Sequence, residues 1–180
     1  MTVAVKTKLA AKARSHGVID AQPEDAGAQL YREIIRIIER MHRRLLDVVR
    51  VELMRLGVED VSSAQMVMLL NIHGNEVSVR DLIERGYYLG SNASYNLKQL
   101  LEAGYINRSA SQRDKRAARI SLSEKGAELC EELRKVEEVH AGLIVRSKED
   151  VTELETTFRT LRRLEMTWTD VIRYGDAHSL

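Results

Sequence analysis

The sequence predicts a mainly α fold with a small β component (α+β), in which helices surround one short β-hairpin. Three observations predict it. Apolar residues recur at helical spacing through most of the chain, two short alternating segments lie between Tyr105 and Leu122, and both ends carry long apolar stripes. With 180 residues, 44% hydrophobic and 31% charged, the composition suits one globular domain and is too polar for a membrane protein.

An arm and a long helix are predicted at the start of the chain. Residues 1–25 are alanine-rich and contain the only proline, so we expect a flexible arm that either contacts phosphates or acts as a solubilising tail. From about Ala26 to Leu56 a helix is expected, and Gly57 can end it. Its apolar stripe consists of Leu30, Ile34, Ile37, Ile38, Met41, Leu45, Val48 and Val49.

Two helices are predicted next. Ser62 or Ser63 caps the first, which Gly74 closes. Ser78 is the predicted N-cap of the second, with Asp81 as its capping-box partner and Gly86 at its end. The apolar residues expected inside these helices are Met66, Val67, Leu69, Leu70, Ile72, Val79, Leu82 and Ile83.

A third helix in this region, from Ser91 to Ala103, has a polar outer face. Its buried side is expected to consist of Ala93, Leu97, Leu100 and Leu101. The outer side carries Asn92, Ser94, Tyr95, Asn96, Lys98 and Gln99. Such side chains can bond base edges and phosphates, and they cluster at the end that a recognition helix inserts into a major groove. The alternative interpretation is an ordinary solvated helix face.

The predicted hairpin is cationic. Tyr105 to Ser109 forms one strand, Gln112 to Lys115 the turn and Ala118 to Leu122 the returning strand. Its charged residues are Arg108, Arg113, Lys115, Arg116 and Arg119 against Asp114 alone, in a chain of net charge +1. A cationic ribbon beside a polar helix suits a polyanion. Alternatively, the charges prevent an edge hairpin from pairing with other chains.

Two long helices are predicted after the hairpin, one from Ser123 as cap to about Arg146 and one from about Lys148 to Tyr174. Together with the first helix they carry more apolar surface than a small helix and hairpin core can cover. A twofold dimer would bury it and set two recognition helices about 34–36 Å apart. The alternative is a monomer with an intramolecular helical hairpin.

Several motifs stand in a recognisable order. They are Gln65 in an apolar helix, Leu82-Ile83-Glu84, the stretch from Leu100 to Ile106, Arg108, Asp114-Lys115-Arg116 and the stretch from Leu122 to Gly126. In this order residues 28–172 resemble the winged helix-turn-helix regulators of the MarR (multiple antibiotic resistance regulator) type. The resemblance implies a bacterial homodimer that binds double-stranded promoter DNA and often releases it on binding a small-molecule effector. Tyr95 stands where that family more often has a cationic or small polar residue.

The helix pattern, the charge and the shape of this region predict a domain plan and a set of DNA-binding residues. Residues 1–25 would form the arm, 26–60 a dimerisation helix, 61–122 the DNA-binding lobe and 123–175 further dimerisation helices. Lys98, Arg108 and Arg119 would contact phosphates, and the wing tip would lie at a minor groove. The full DNA-binding set is Ser91, Asn92, Ser94, Tyr95, Asn96, Lys98, Arg108, Arg113, Asp114, Lys115, Arg116 and Arg119. In the family the residue at Asp114 organises the hairpin, and the one at Arg116 pairs with it or contacts DNA.

Other functional classes find little support in the sequence. There is no phosphate-binding glycine loop, nucleophile elbow or Cys/His cluster, so we expect no enzyme and no cofactor. Glu39 with His42 and Glu137 with His140 are candidate metal ligands, or histidines paired with a nearby carboxylate. Cys130 is either a redox switch or a small helix side chain. A helical dimer that senses metal or redox state without binding DNA is therefore the alternative function.

The expected location is the cytoplasm. No apolar run approaches the roughly 20 residues that a membrane-spanning helix needs. Lys6, Lys8 and Lys12 would interrupt a secretory signal, and a single cysteine suits a reducing compartment.

Overall fold

The computed structural model describes residues 23–72, 76–86, 90–110 and 118–175. The fold is mainly α with a small antiparallel sheet, as the sequence predicts. The chain divides into two compact units, one ending at Val51 and one beginning at Glu52. The predicted arm, residues 1–25, lies almost wholly outside the described residues.

The first helix, α1, spans Pro23–Arg55, so it begins three residues before the expected Ala26. Gly57 ends it as predicted, because its φ of 69° is the left-handed conformation that glycine adopts most easily and its N–H donates to the carbonyl oxygen of Met54 at 3.1 Å. Much of the apolar stripe of α1 is exposed in the single chain. Its exposed members include Leu30, Ile37, Met41 and Leu45.

The second helix, α2, spans Ser63–Asn71 and forms the centre of the core. Ser62 is its N-cap, which decides between the two serines that the sequence left open. The prediction that Gly74 closes it is wrong, because the helix ends at Asn71 with Ile72 as C-cap, and Gly74 lies outside the described residues. The fully buried side chains on and next to α2 are Met66, Met68, Leu69 and Ile72.

The sheet has three strands among the described residues, where the sequence predicted two. Strands β2 (Ile106–Ala110) and β3 (Ala118–Leu122) form the expected hairpin, and β1 (Val77–Ser78) pairs with the other edge of β3. Val77 lies opposite Ile120, and Ser78 lies opposite Arg119. A two-residue strand is too short to show the alternation by which the sequence predicts strands. It forms because its backbone pairs with the free edge of β3.

Two short helices precede the hairpin in the chain. Helix α3 spans Val79–Gly86, and the Ser78 hydroxyl accepts a hydrogen bond from the backbone N–H of Asp81 at 2.9 Å, which is the cap contact that the sequence predicts. Helix α4 spans Gly90–Glu102, so Ser91 lies inside the first turn and does not precede the helix as its predicted cap. Gly104, with φ of 77°, lies two residues after its end.

Two long helices complete the described chain. Helix α5 spans Glu124–Ile144 from an N-cap at Ser123, and α6 spans Lys148–Tyr174 from a capping box at Ser147 and Asp150. Leu129, Cys130 and Leu133 are buried on the first half of α5, whereas no residue of α6 is buried. The exposed apolar side chains of α6 include Val151, Leu154, Phe158, Met166, Ile172 and Tyr174.

Candidate nucleic-acid interface

Helix α4 presents a polar face to solvent. Ala93, Leu97 and Leu100 are buried and fix the helix to the core. Leu101 is exposed, so its predicted place on the buried side is wrong; Leu100 already points inward, and the next residue lies 100° further round the helix. On the outer side Asn92, Ser94, Tyr95 and Lys98 are exposed and Asn96 is half-buried. The structure therefore places five of the six predicted DNA-binding residues of this helix on its solvent-facing side. The sixth, Ser91, has a side chain that lies outside the described part of the structure.

The middle of this polar face is connected to the core by a chain of hydrogen bonds. The backbone N–H of Ser62 donates to Gln65 Oε1 at 2.8 Å, and Gln65 Nε2 donates to Gln99 Oε1 at 2.7 Å. Gln99 Nε2 then donates to the hydroxyl oxygen of Tyr95 at 2.8 Å. Sequence reasoning missed the role of Gln65 and Gln99. The available signal was an amide side chain at a core position of an otherwise apolar helix.

Lys98, further along α4, lies 3.8 Å from Glu102. Both side chains are well exposed, and such a pair contributes little to stability. The Lys98 ammonium group can leave Glu102 and bind a phosphate instead, so the ion pair does not conflict with the predicted phosphate contact, which stays a prediction.

The two described arginines of the hairpin lie on opposite faces of it. Side chains alternate along a strand, and directly opposed residues share a face. Arg108 lies opposite Ile120, whereas Arg119 lies opposite Ser109. Arg108 is exposed and has no ion-pair partner within residues 23–72, 76–86, 90–110 and 118–175. The two cations therefore do not form one continuous basic surface on the hairpin.

Arg119 is held by Glu76. Its Nε lies 3.0 Å from Glu76 Oε2, and one terminal nitrogen donates to the Glu76 backbone oxygen at 2.6 Å. The hydroxyl of Ser109 donates to the other carboxylate oxygen at 2.8 Å. This cluster joins β2, β3 and the residue before β1, so in this structure Arg119 stabilises the hairpin. Its predicted phosphate contact stays a prediction.

The base of the hairpin is fixed to the start of α5 by a second cluster. The Tyr105 hydroxyl donates to Asp60 Oδ1 at 2.7 Å, Lys125 Nζ lies 3.1 Å from Asp60 Oδ2, and the ammonium sits 3.9 Å from the centroid of the Tyr105 ring. The hydrogen bond from Tyr105, assisted by Lys125, lowers the pKa of Asp60. Burial and the bond to Asp60 raise the pKa of Tyr105, so the phenol stays protonated as the donor.

The residues predicted at the wing tip, Arg113, Asp114, Lys115 and Arg116, lie in the segment 111–117, outside the described residues. Their contacts with DNA stay predictions, as does the role of Asp114 in organising the hairpin.

Comparison with known proteins decides the family. A MarR family model matches residues 59–117. The exopolysaccharide II synthesis transcriptional activator ExpG of Rhizobium meliloti (strain 1021) is 47% identical over 157 residues, which is 87% of this chain and 81% of that protein. The chain belongs to the MarR family. It is a transcription regulator and not an enzyme.

Solved structures share the MarR-family fold with this chain. FabT of Streptococcus pneumoniae, solved in complex with DNA, has a TM-score of 0.66 at 19% identity, with 76% of this chain and 97% of that chain covered. A mutant MarR from E. coli complexed with operator DNA has a TM-score of 0.57 at 21% identity, with 78% and 99% covered. At these identities the comparison supports the fold alone.

The candidate metal ligands and the candidate redox cysteine of this MarR-family chain lie outside the α4 and hairpin surface. Glu39 pairs with Arg43 at 2.6 Å, and no group of three or more metal-binding side chains occurs in the part of the chain that the structure describes. Cys130 is fully buried, and this burial raises the pKa of its thiol, which disfavours the reactive thiolate. Within the described residues no helix is long and apolar enough to cross a membrane.

Proposed function

We propose that the protein is a homodimer that binds specific sequences in double-stranded promoter DNA, with α4 in the major groove and the hairpin as a basic wing at the minor groove. The observation that supports this most directly is the outer face of α4. Its exposed Asn, Ser and Tyr side chains stand on a helix whose other side is buried, so the backbone that carries them is rigid. An α-helix fits the major groove, where each base pair presents a distinct donor and acceptor pattern.

Within this proposal the residues divide by role. Asn92, Tyr95 and Asn96 have the size and bonding groups to reach base edges, and an asparagine amide can bond adenine N6 and N7 together. Lys98 and Arg108 are cations that suit phosphates, which position the protein and carry little sequence information. The wing-tip cations Arg113 and Lys115 are assigned to the minor groove or its edges, and Arg116 pairs with Asp114 or contacts DNA.

The proposed twofold contact uses the long helices. None of the 27 residues of α6 is buried, although several of them are large and apolar. Phe158 is 68% exposed and Ile172 is 78% exposed. Exposed apolar surface on this scale marks a contact with another chain. A second copy is the proposed partner because a twofold axis covers the same surface twice and sets two recognition helices about one DNA turn apart.

Sedimentation tests the dimer directly. We expect the full chain to sediment as a dimer at micromolar concentration and Phe158→Glu to shift it to monomer, because a buried unpaired carboxylate is costly. Thr157→Glu is the matched control, since it adds the same charge at a neighbouring exposed position 100° round the helix. A wild-type chain that remains monomeric at these concentrations contradicts the dimer proposal.

The DNA assignment is tested by selecting duplexes from a random pool and titrating the selected and random duplexes over a salt series. Asn92→Ala should cost roughly 1–3 kcal/mol on the selected site and much less on random DNA. Arg108→Ala should weaken binding to the selected duplex and to random duplexes by similar factors, and it should reduce the slope of log affinity against log salt by about one. Lys135→Ala, which removes a cation from the middle of α5, is the control and should leave both titrations unchanged. If Asn92→Ala retains full discrimination, the assignment of Asn92 is wrong.

Regulation is the remaining part of the proposal. An effector that releases DNA must bind the competent and incompetent dimers with different affinity, and a tenfold loss of DNA binding requires about 1.4 kcal/mol of coupling. Because ExpG is named as an activator of exopolysaccharide II synthesis, we propose activation of polysaccharide synthesis genes as the function of this chain. Deleting its gene should then lower transcription from such promoters, whereas a rise would indicate repression.

A further inference from the structure

The hydrogen-bond chain behind α4 has a fixed direction. It starts at the backbone N–H of Ser62, which can only donate. Gln65 must therefore turn its oxygen toward Ser62, and it does so at 2.8 Å. Its nitrogen then points to Gln99, which must offer its own oxygen, at 2.7 Å. The Gln99 nitrogen is left to face Tyr95, at 2.8 Å from the hydroxyl oxygen.

The anchor of this chain is well held. Gln65 is 5% exposed, and its own backbone N–H donates back to the Ser62 hydroxyl at 3.3 Å, so the residue is held from both ends of the capping box. Rotating its amide by 180° would place its NH2 group against the Ser62 N–H and its oxygen against the Gln99 oxygen. Two part-buried hydrogen bonds would become repulsive contacts, which favours the observed direction.

The consequence lies at the surface. Tyr95 accepts a hydrogen bond from Gln99 on the side that faces the protein, so the proton of its own hydroxyl is directed away from Gln99. The Tyr95 side chain is 61% exposed, and Asn92 and Gln99 stand beside it at helical spacings of three and four residues. A tyrosine hydroxyl free in water can both donate and accept. This one is preset as a donor.

We propose that Tyr95 is a specificity-determining residue that donates its hydroxyl proton to a major-groove acceptor, which is guanine O6 or N7, adenine N7 or thymine O4. It would disfavour a base whose amino group, cytosine N4 or adenine N6, faces the hydroxyl there. Gln65 and Gln99 are positioning residues, since they set the direction of the hydroxyl and need not touch the base. The inference rests on the proposed placement of α4 in the major groove.

Two variants separate this role from a merely structural one. Tyr95→Phe removes the donor and should reduce the preference at one base-pair position in each half-site by roughly three- to tenfold. Gln99→Glu is nearly isosteric, but its carboxylate can only accept. One oxygen still receives the Gln65 nitrogen, and the other now draws the Tyr95 proton inward. The hydroxyl then offers only lone pairs to DNA, so at the same position the preference should move to a base pair that presents cytosine N4 or adenine N6.

The negative charge of Gln99→Glu will weaken binding to every duplex, so preference among the four base pairs is the measured quantity. The double variant Tyr95→Phe with Gln99→Glu is the control. It carries the same charge without the hydroxyl and should show no preference for an amino group at that position. Circular dichroism of each variant checks that the fold is intact.

The experiment selects duplexes with the wild-type protein, then measures binding of all four base pairs at each position for the four proteins. Loss of one preference in Tyr95→Phe and its reversal in Gln99→Glu support the inference. If Tyr95→Phe weakens selected and random duplexes equally, the hydroxyl bonds a phosphate and the inference is overturned. The inference also fails if Gln99→Glu keeps the wild-type preference. If the wild-type protein selects no sequence at all, the proposed function itself fails, and the two failures are thereby distinguished.

Discussion

Gly126 is the position where the structure makes its sharpest prediction about stability. A Cβ built on this residue would lie 3.1 Å from the carbonyl carbon of Tyr105 and nearer still to its oxygen, whereas real Cβ atoms essentially never approach other atoms within 3.0 Å. The obstacle is backbone, so no side chain can rotate away. The same carbonyl oxygen accepts the backbone N–H of Ser123 at 3.0 Å. Gly126→Ala must therefore displace either α5 or the start of β2.

The expected cost follows from these contacts. Overpacking of this kind costs about 1–3 kcal/mol, and loss or distortion of the Ser123 bond adds about 0.5–1.5 kcal/mol. Alanine regains up to about 1 kcal/mol through its higher helix propensity. With the full propensity gain, the net expectation is a destabilisation of about 0.5–3.5 kcal/mol.

The matched control is Gly142→Ala on the same helix. No atom lies within 4 Å of a Cβ built there, so the substitution should stabilise the protein by about 0.4–1 kcal/mol. Urea unfolding followed by circular dichroism, at one fixed protein concentration because a dimer's stability depends on it, gives both values. Equal midpoints for Gly126→Ala and wild type would refute the argument that the close approach to Tyr105 requires glycine.

Three further predictions concern the clusters around the hairpin and the buried thiol. Hydrogen bonds from Tyr105 and then from Lys125 lower the pKa of Asp60 in the folded protein. Asp60→Asn should therefore have its full destabilising effect above the ordinary aspartate pKa of about 3.9, and this effect should disappear as the pH falls through the lower pKa of the folded protein. Urea unfolding at several pH values would show this. Glu76→Gln should speed hydrogen exchange in β1 and β3 while costing at most about 1 kcal/mol, since the Arg119 pair is partly exposed; unchanged exchange would contradict the conclusion that Glu76 and Arg119 hold the strands together. Cys130 should react slowly with Ellman's reagent in the folded protein and rapidly in urea, whereas rapid native reaction would contradict its burial.

The parts of the fold that the sequence predicts well are those set by local chemistry. Ser123 caps α5 as predicted, and the predicted span of α6, from Lys148 to Tyr174, is the observed one. Gly57 and Gly104 both adopt positive φ just after a helix. In each case a cap residue and a helical apolar stripe lie within a few positions of one another, so the deciding interactions can be found by spacing alone.

The parts that the sequence did not predict depend on distant residues. Strand β1 exists because β3 offers an edge about 40 positions later in the chain, with Val77 opposite Ile120. Gln65 bonds Gln99, and Glu76 bonds Arg119, across similar separations. The sequence predicts a phosphate contact for Arg119 because hairpin cations next to a polar helix suit DNA, and this contact stays a prediction. What the sequence did not predict is that the alternation of the strand turns Arg119 away from Arg108 and toward Glu76. Charge counts cannot show which cations are already engaged.

The start of α5 connects these local and distant features. The Ser123 hydroxyl donates to the carbonyl oxygen of Gly104 at 2.6 Å, and Lys125 Nζ donates to that of Ala103 at 3.0 Å. Both acceptors follow directly on α4, while Gly126 packs against Tyr105, the residue before β2. One turn of α5 therefore holds the end of α4 and the base of the hairpin together. A displacement of this turn would strain the hydrogen bonds to both, because Ser123 and Lys125 bond the residues after α4 and Gly126 packs against the residue before β2.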